Sequence, residues 1–118
     1  MLSTVFRRYI TTSRMVSQQA TERVKVLINS KPIFIASKTY CPYCKATKST
    51  IGEITKDAYI LELDELDDGE EIQAALLELT GQRTVPNVFI NGEHIGGNSD
   101  VQALKSSDKL IPKIKAAL

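Results

Sequence analysis

The spacing of hydrophobic residues changes several times along the chain, and each change predicts a different secondary-structure element. Residues 17–30 have the spacing of an amphipathic helix. Residues 32–36, Pro-Ile-Phe-Ile-Ala, form a short, continuous and β-prone run, which is typical of a strand buried on both faces. The next helix is expected over residues 42–56, because Pro42 suits the first helical position.

The rest of the chain predicts a further strand, an amphipathic helix, a hairpin and two short helices. Asn91-Gly92, between two apolar runs, is a strong hairpin signal. The amphipathic helix is opened by Asp67-Asp68-Gly69 and ended by Gly81. In chain order, the predictions are a strand over 58–63, this helix with Ile72, Ala75, Leu76 and Leu79 on one face, hairpin strands at 88–90 and 94–95, and helical stretches over 99–106 and 108–117.

This order of elements predicts one small α/β domain over residues 15–118. Helices would flank a four-stranded mixed sheet with a parallel half and an antiparallel half. The length of 118 residues and the hydrophobic fraction of 42% suit a single core, and the sequence contains no internal repeat. No run approaches the ~20 consecutive apolar residues that a membrane-spanning helix needs, so no membrane association is expected.

The charge is nearly balanced overall but uneven along the chain. The formal net charge of +1 argues against a polybasic nucleic-acid binder. Residues 1–14 contain three arginines and no carboxylate among several Ser and Thr residues, a composition typical of a mitochondrial transit peptide. A disordered tail without an address remains the alternative. Met15 offers a second start, so we expect a mitochondrial form and a shorter cytoplasmic form.

The two cysteines, Cys41 and Cys44, lie where the first buried strand meets the helix that begins at Pro42. Cys41 is therefore expected at the N-cap and Cys44 at the third helical position, where one helical turn brings the side chains together. That spacing suits a disulfide that forms and opens with little backbone movement. The unpaired N–H groups and the positive end of the helix favour a thiolate at Cys41.

Lys38, Lys45 and Lys48 add positive charge around the cysteines, and no carboxylate occurs between residues 37 and 52. A redox-active dithiol is therefore the favoured interpretation. Two alternatives stay open: half of a zinc site, for which a second cysteine pair is missing, and a buried, inert pair. His94, the only histidine, is expected on the solvent side of the hairpin, and no metal is expected.

The segment Lys38-Thr39-Tyr40-Cys41-Pro42-Tyr43-Cys44 resembles the active-site motif of dithiol glutaredoxins, which have the thioredoxin-like fold. Two further blocks, Thr84-Val85-Pro86 and Gly96-Gly97-Asn98-Ser99-Asp100, stand in the order and spacing of that family. The resemblance covers nearly everything from residue 17 to residue 118. It implies a thioredoxin-like domain of the dithiol branch, since Cys44 is present.

The resemblance also implies a glutathione site. Lys38 would pair with the glycine carboxylate of glutathione. A cis Pro86 would turn the backbone of Val85 so that it pairs with the tripeptide as an added strand. Each of these residues also has an ordinary structural role open to it, such as an N-cap for Ser99. The implied set is Lys38, Gln73 and Arg83 at the glycine end, Thr84, Val85 and Pro86 along the backbone, Tyr43 beside the sulfur, and Ser99 and Asp100 for the γ-glutamyl carboxylate and ammonium.

The implied activity is glutathione-dependent thiol–disulfide oxidoreduction, with Cys41 as the nucleophile and Cys44 as the resolving thiol for protein disulfides. The partners would be glutathione as co-substrate, glutathionylated proteins, disulfide-containing proteins and, indirectly, glutathione reductase. The protein is expected to act as a monomer. The alternative functions are a thioredoxin-like reductase served by a flavoprotein and an iron–sulfur module with a cluster between two protomers.

Overall fold

The computed structural model describes residues 18–118, which fold around a four-stranded mixed sheet. β1 (Ile33–Ser37) pairs in parallel with β2 (Tyr59–Glu62) and antiparallel with β3 (Asn87–Ile90), and β3 pairs antiparallel with β4 (Glu93–Gly96). The predicted sheet, with one parallel and one antiparallel half, is therefore confirmed. The predicted leader, residues 1–14, lies outside the described residues. The spatial order of the strands in the sheet is β2-β1-β3-β4.

Helices cover both faces of the sheet and divide the core into two clusters. The helices are α1 over residues 18–30, α2 (Pro42–Gly52), α3 (Gly69–Thr80), α4 (Asn98–Ser106) and α5 (Leu110–Ala117). Alternate residues of β1 point to opposite faces, so Phe34 packs with α1 and α3, whereas Ile35 packs with α2, α4 and α5. Every residue of β1 is buried, as the sequence predicted. Among residues 18–118, none of the helices combines the length and the hydrophobicity that a membrane span requires. A 3-10 turn at Leu63–Glu65 lies between β2 and α3.

α2 ends at Gly52, so the prediction that it continues to residue 56 was wrong. The carbonyl of Ile51 accepts the N–H groups of both Ile54 and Thr55, at 2.9 and 3.0 Å. The Thr55 hydroxyl then accepts the N–H of Asp57 over 3.1 Å. Glycine disfavours helix continuation and this side-chain bond favours a turn, which together explain the earlier end.

The apolar face of α3 is shorter than predicted. Ile72, Ala75 and Leu76 are buried, as expected, but Leu79 is 37% exposed. The reason is that the cluster beneath α3 ends at Leu76, so the last turn has no core to cover. Gly81 ends the helix in the left-handed conformation with a φ of 77°, as the sequence indicated.

Candidate active site

The two cysteines lie at the start of α2, shortly after the end of β1. Cys41 is the N-cap, with an extended backbone (φ −86°, ψ 117°), and its sulfur accepts the N–H of Cys44 over 3.2 Å. Cys44 is the third residue of α2 and is 0% exposed, whereas Cys41 is half-buried. Both are free thiols. The predicted positions are therefore confirmed, and Cys41 is the more accessible cysteine.

The surroundings of Cys44 favour its protonated form. Burial raises the pKa of the Cys44 thiol, and the hydrogen bond with the Cys41 side chain acts in the same direction. The thiolate is the nucleophilic form of cysteine. A raised pKa therefore makes Cys44 the poorer first nucleophile at neutral pH, which leaves that role to Cys41.

The loop before β3 lies against Cys41. The Cys41 sulfur is 3.8 Å from the carbonyl oxygen of Val85. The Val85–Pro86 peptide bond is cis, as the family resemblance implied. Val85 is half-buried and Pro86 is buried. A peptide that paired with the backbone of Val85 would thus lie beside the Cys41 sulfur.

Lys38, Gln73 and Arg83, predicted for the glycine end of glutathione, meet in one groove. The groove has a volume of about 690 Å³. Gln73 Nε2 donates to the carbonyl oxygen of Arg83 over 2.8 Å, which joins α3 to the segment that precedes Val85. Two cationic side chains in one groove fit a carboxylate ligand. The lining residues are Lys38, Glu70, Gln73, Ala74, Leu77 and Arg83.

The N-terminus of α4 lies at the other end of the segment 83–86. A Cβ atom on Gly97, the N-cap of α4, would be 3.7 Å from the carbonyl oxygen of Pro86. Asp100 Oδ2 accepts the N–H of Gly97 over 2.9 Å. Gly96 has a φ of 122°, and a side chain there would collide with this carboxylate. Ser99 is an exposed residue in the first turn of α4, so its alternative role as the N-cap was wrong.

The other two residues predicted to contact glutathione, Tyr43 and Thr84, are exposed. Tyr43 lies in the first turn of α2 and is 67% exposed. Thr84 directly precedes Val85, and its carbonyl oxygen accepts a hydrogen bond from Gln82. The segment 83–86 thus connects the groove that contains Lys38 to the N-terminus of α4, and its Val85 carbonyl lies beside Cys41.

Comparisons with known proteins agree with this geometry. The family model for glutaredoxin matches residues 33–95. Glutaredoxin-1 of Saccharomyces cerevisiae is 51% identical over 100 residues, which cover 81% of this chain and 91% of that protein. The chain belongs to the glutaredoxin family. Glutaredoxin of Ricinus communis is 46% identical over 98 residues, which cover 83% of this chain and 96% of that protein.

Solved glutaredoxin structures have the same thioredoxin-like fold. A crystal structure of a buckwheat glutaredoxin–glutathione complex superposes with a TM-score of 0.84 at 43% identity, covering 87% of this chain and 94% of that chain. A crystal structure of a mutated buckwheat glutaredoxin gives a TM-score of 0.86 at 41% identity, covering 88% and 94%. The predicted α/β fold is therefore confirmed.

One of the lysines expected to surround Cys41 is paired with a carboxylate in this glutaredoxin. Lys48 Nζ lies 3.1 Å from Glu62 Oε1, and the two side chains are 23% and 16% exposed. The absence of carboxylates from residues 37–52 gave no indication of this pairing, because Glu62 lies further along the chain. β2, which packs parallel to β1, brings Glu62 to α2 from 14 residues further along the chain.

Asp64 is a residue near the site of this glutaredoxin that the sequence interpretation missed. Its carboxylate accepts the N–H of Thr39 over 3.0 Å and also the Thr39 hydroxyl. The hydrogen bonds from Thr39 lower the pKa of Asp64, and the charge of Lys38 contributes in the same direction. Asp64 thereby fixes the segment between β1 and Cys41. Its position in an acidic stretch before α3 is typical of a helix start, so no local signal linked it to Thr39.

His94 is exposed on the hairpin, as predicted, and makes contacts within the sheet. Its Nε2 lies 2.8 Å from Asn87 Oδ1, and its ring centre lies 5.1 Å from that of Phe89. Burial lowers the pKa of His94, while the charge of Asp100 opposes this shift. Within the described part of this glutaredoxin, no group of three or more His, Cys, Asp or Glu residues is placed to hold a metal ion.

Proposed function

We propose that this glutaredoxin is a glutathione-dependent oxidoreductase that reduces protein–glutathione mixed disulfides and protein disulfides. The observation that carries the proposal is the position of the Cys41 sulfur, at the N-cap of α2 and 3.8 Å from the Val85 carbonyl. Glutathione has two carboxylates and one ammonium group. The cations near one end of the segment 83–86 and the helix N-terminus near its other end complement the two carboxylates, and the Asp100 carboxylate at the start of α4 complements the ammonium.

The first half of the cycle removes the protein substrate. The Cys41 thiolate attacks the glutathione sulfur of the mixed disulfide, so a Cys41–glutathione disulfide forms as the substrate's disulfide bond breaks. The substrate leaves as a thiolate and takes up a proton from solvent. A second glutathione thiolate then attacks the bound glutathione sulfur. Oxidised glutathione leaves, and the Cys41 thiolate is restored; this cycle uses no second cysteine.

Protein disulfides require Cys44. Cys41 attacks one sulfur of the substrate disulfide and forms a mixed disulfide with the substrate, releasing the other sulfur as a thiol. Cys44 then loses its proton and attacks the Cys41 sulfur, which releases the reduced substrate and leaves a Cys41–Cys44 disulfide. Two glutathione molecules reduce this disulfide and become oxidised glutathione.

The decisive experiment measures glutathione-dependent reduction of a small glutathione mixed disulfide, coupled to NADPH oxidation through glutathione reductase. Cys41→Ser should abolish activity, while Cys44→Ser should retain most of it, because the backbone N–H of residue 44 still reaches the Cys41 sulfur. Reduction of insulin disulfides is the companion assay, and Cys44→Ser should lose it. An equal loss of activity on the mixed disulfide in Cys41→Ser and Cys44→Ser would contradict the roles proposed for the two cysteines. A folded, reduced and inactive wild type would overturn the function and make reductase-coupled, thioredoxin-like turnover the next test.

We also propose that the form beginning at Met1 is mitochondrial, that the form beginning at Met15 is cytoplasmic, and that both act as monomers. The three arginines of residues 1–14 and the absence of carboxylates there support mitochondrial targeting. Fusion of these residues to a fluorescent protein should direct it to mitochondria, and replacement of the three arginines by glutamine should abolish this targeting. A diffuse signal from the unaltered segment would contradict the proposal.

Sedimentation of the reduced protein as a 13.1 kDa species would support the monomer, and a dimer would overturn it.

A further inference from the structure

Gln82 forms a side-chain bridge across the segment that contains Val85. Its Nε2 lies 3.1 Å from the carbonyl oxygen of Thr84 and 3.0 Å from that of Pro86. A side-chain amide has two N–H donors, so these two carbonyls use both of them. The carbonyl between them, that of Val85, lies against the Cys41 sulfur instead. One amide group thus holds both neighbours of the residue that faces the reactive thiol.

The bridge is held in place on two sides. The backbone N–H of Gln82 donates to Thr80 Oγ1 over 3.0 Å, and that hydroxyl donates to the Leu76 carbonyl in α3 over 2.7 Å. On the opposite side, a Cβ atom on Gly97 would be 3.9 Å from Gln82 Nε2. Gln82 itself is half-buried. Its amide therefore lies where the 83–86 segment, the end of α3 and the start of α4 meet.

We infer that Gln82 is a positioning residue that sets the backbone of Val85 for recognition of the glutathionyl group. The inference rests on the proposed function, because it concerns recognition of the same glutathionyl ligand. A ligand that adds a strand pairs with main-chain groups, so their orientation before binding determines how much ordering the binding must supply. Gln82 donates to the carbonyl oxygens of Thr84 and Pro86, whereas the Cys41 sulfur lies against the carbonyl oxygen of Val85. It should therefore affect substrate recognition while leaving the reactivity of the thiol unchanged.

The test compares two disulfides and two glutamines. Gln82→Met removes both donors and keeps the length of the side chain. Gln102→Met is the matched control, because Gln102 Nε2 also donates to two acceptors, Thr50 Oγ1 at 2.9 Å and Asn98 Oδ1 at 3.1 Å, between α2 and α4. The substrates are a glutathione mixed disulfide of a small thiol and hydroxyethyl disulfide, which has no glutathionyl group. Second-order rate constants of the reduced full chain are measured for both, together with the rate of Cys41 alkylation by iodoacetamide.

We expect Gln82→Met to lower the rate constant for the mixed disulfide about tenfold. The rates with hydroxyethyl disulfide and iodoacetamide should stay unchanged, and Gln102→Met should show no selective loss. Gln82→Lys keeps an N–H donor, so it should still react faster with the mixed disulfide than with hydroxyethyl disulfide. This variant keeps the test informative if the Met variant misfolds. Equal slowing with both disulfides, or the same selective loss in Gln102→Met, would overturn the inference. A wild type without any preference for the mixed disulfide would instead reject the proposed glutathione site.

Discussion

The Lys48–Glu62 ion pair allows a direct test of which charges act on Cys41. Replacing Lys48 with Met leaves the Glu62 carboxylate without its partner, and Glu62 Oε2 is already buried without a hydrogen bond. Exposed pairs contribute about 0–1 kcal/mol, whereas breaking a buried pair costs about 3–5 kcal/mol. With side chains 23% and 16% exposed, this pair lies between the two limits. We expect Lys48→Met to lower the free energy of unfolding by about 2 kcal/mol.

The same substitution should barely change the reactivity of Cys41. Seven residues along a helix correspond to about 10 Å, at which a lone ammonium would stabilise the thiolate by about 0.4 kcal/mol in water. Glu62, 3.1 Å from the ammonium, cancels most of that interaction. The rate of Cys41 alkylation at a fixed pH should therefore change by less than about twofold.

Urea denaturation and iodoacetamide alkylation measure the two effects separately. Lys45→Met is the matched control, because Lys45 is an exposed lysine on the same helix, and it should leave the unfolding free energy nearly unchanged. The double variant Lys48→Met/Glu62→Gln should recover much of the lost stability, since it removes the unpaired charge. A tenfold slower alkylation of Cys41 in Lys48→Met, at unchanged stability, would refute the reasoning. It would show that Lys48 stabilises the Cys41 thiolate.

Two further predictions follow from the pKa values of Asp64 and Cys44. Because hydrogen bonds from Thr39 lower the pKa of Asp64 below its ordinary 3.8, its carboxylate stabilises the fold above that value, and this contribution is lost as the pH falls through the lowered value. Urea denaturation should therefore show the wild type losing unfolding free energy between about pH 5 and pH 2 more steeply than Asp64→Asn, and parallel profiles would contradict this. Because burial raises the pKa of Cys44, limiting iodoacetamide at neutral pH should label Cys41 first in the reduced protein; peptide mass spectrometry that found Cys44 labelled equally would argue against the assigned order of attack.

Most of the fold could be predicted because its determinants are local in sequence. The continuous apolar run of β1 indicates burial on both faces, and Phe34 and Ile35 do pack into different clusters. Asn91 and Gly92, with φ values of 53° and 77°, form the turn that their residue types favour. The errors concern helix ends: the turn after Gly52 and the exposed Leu79 depend on side-chain bonds and on the extent of the core, which spacing alone does not encode.

The reactive part of the site could be predicted for the same reason. Both cysteines belong to the start of one helix, Cys41 as its N-cap and Cys44 as its third residue. The charges around the cysteines could not be predicted from local sequence. Glu62 reaches α2, and Asp64 reaches Thr39, through the parallel pairing of β1 with β2.

Recognition of the ligand depends on the backbone as much as on side chains, which explains why its supports have no motif. The acceptors that hold the segment 83–86 are main-chain carbonyl oxygens, and every residue type has one. Gln73 in α3 and Gln82, just after the end of α3, donate hydrogen bonds to these carbonyls. Only the folded chain shows which carbonyls they reach. Substitutions at the cysteines should therefore change the chemistry, whereas substitutions at these two amides should change which disulfides the chemistry acts on.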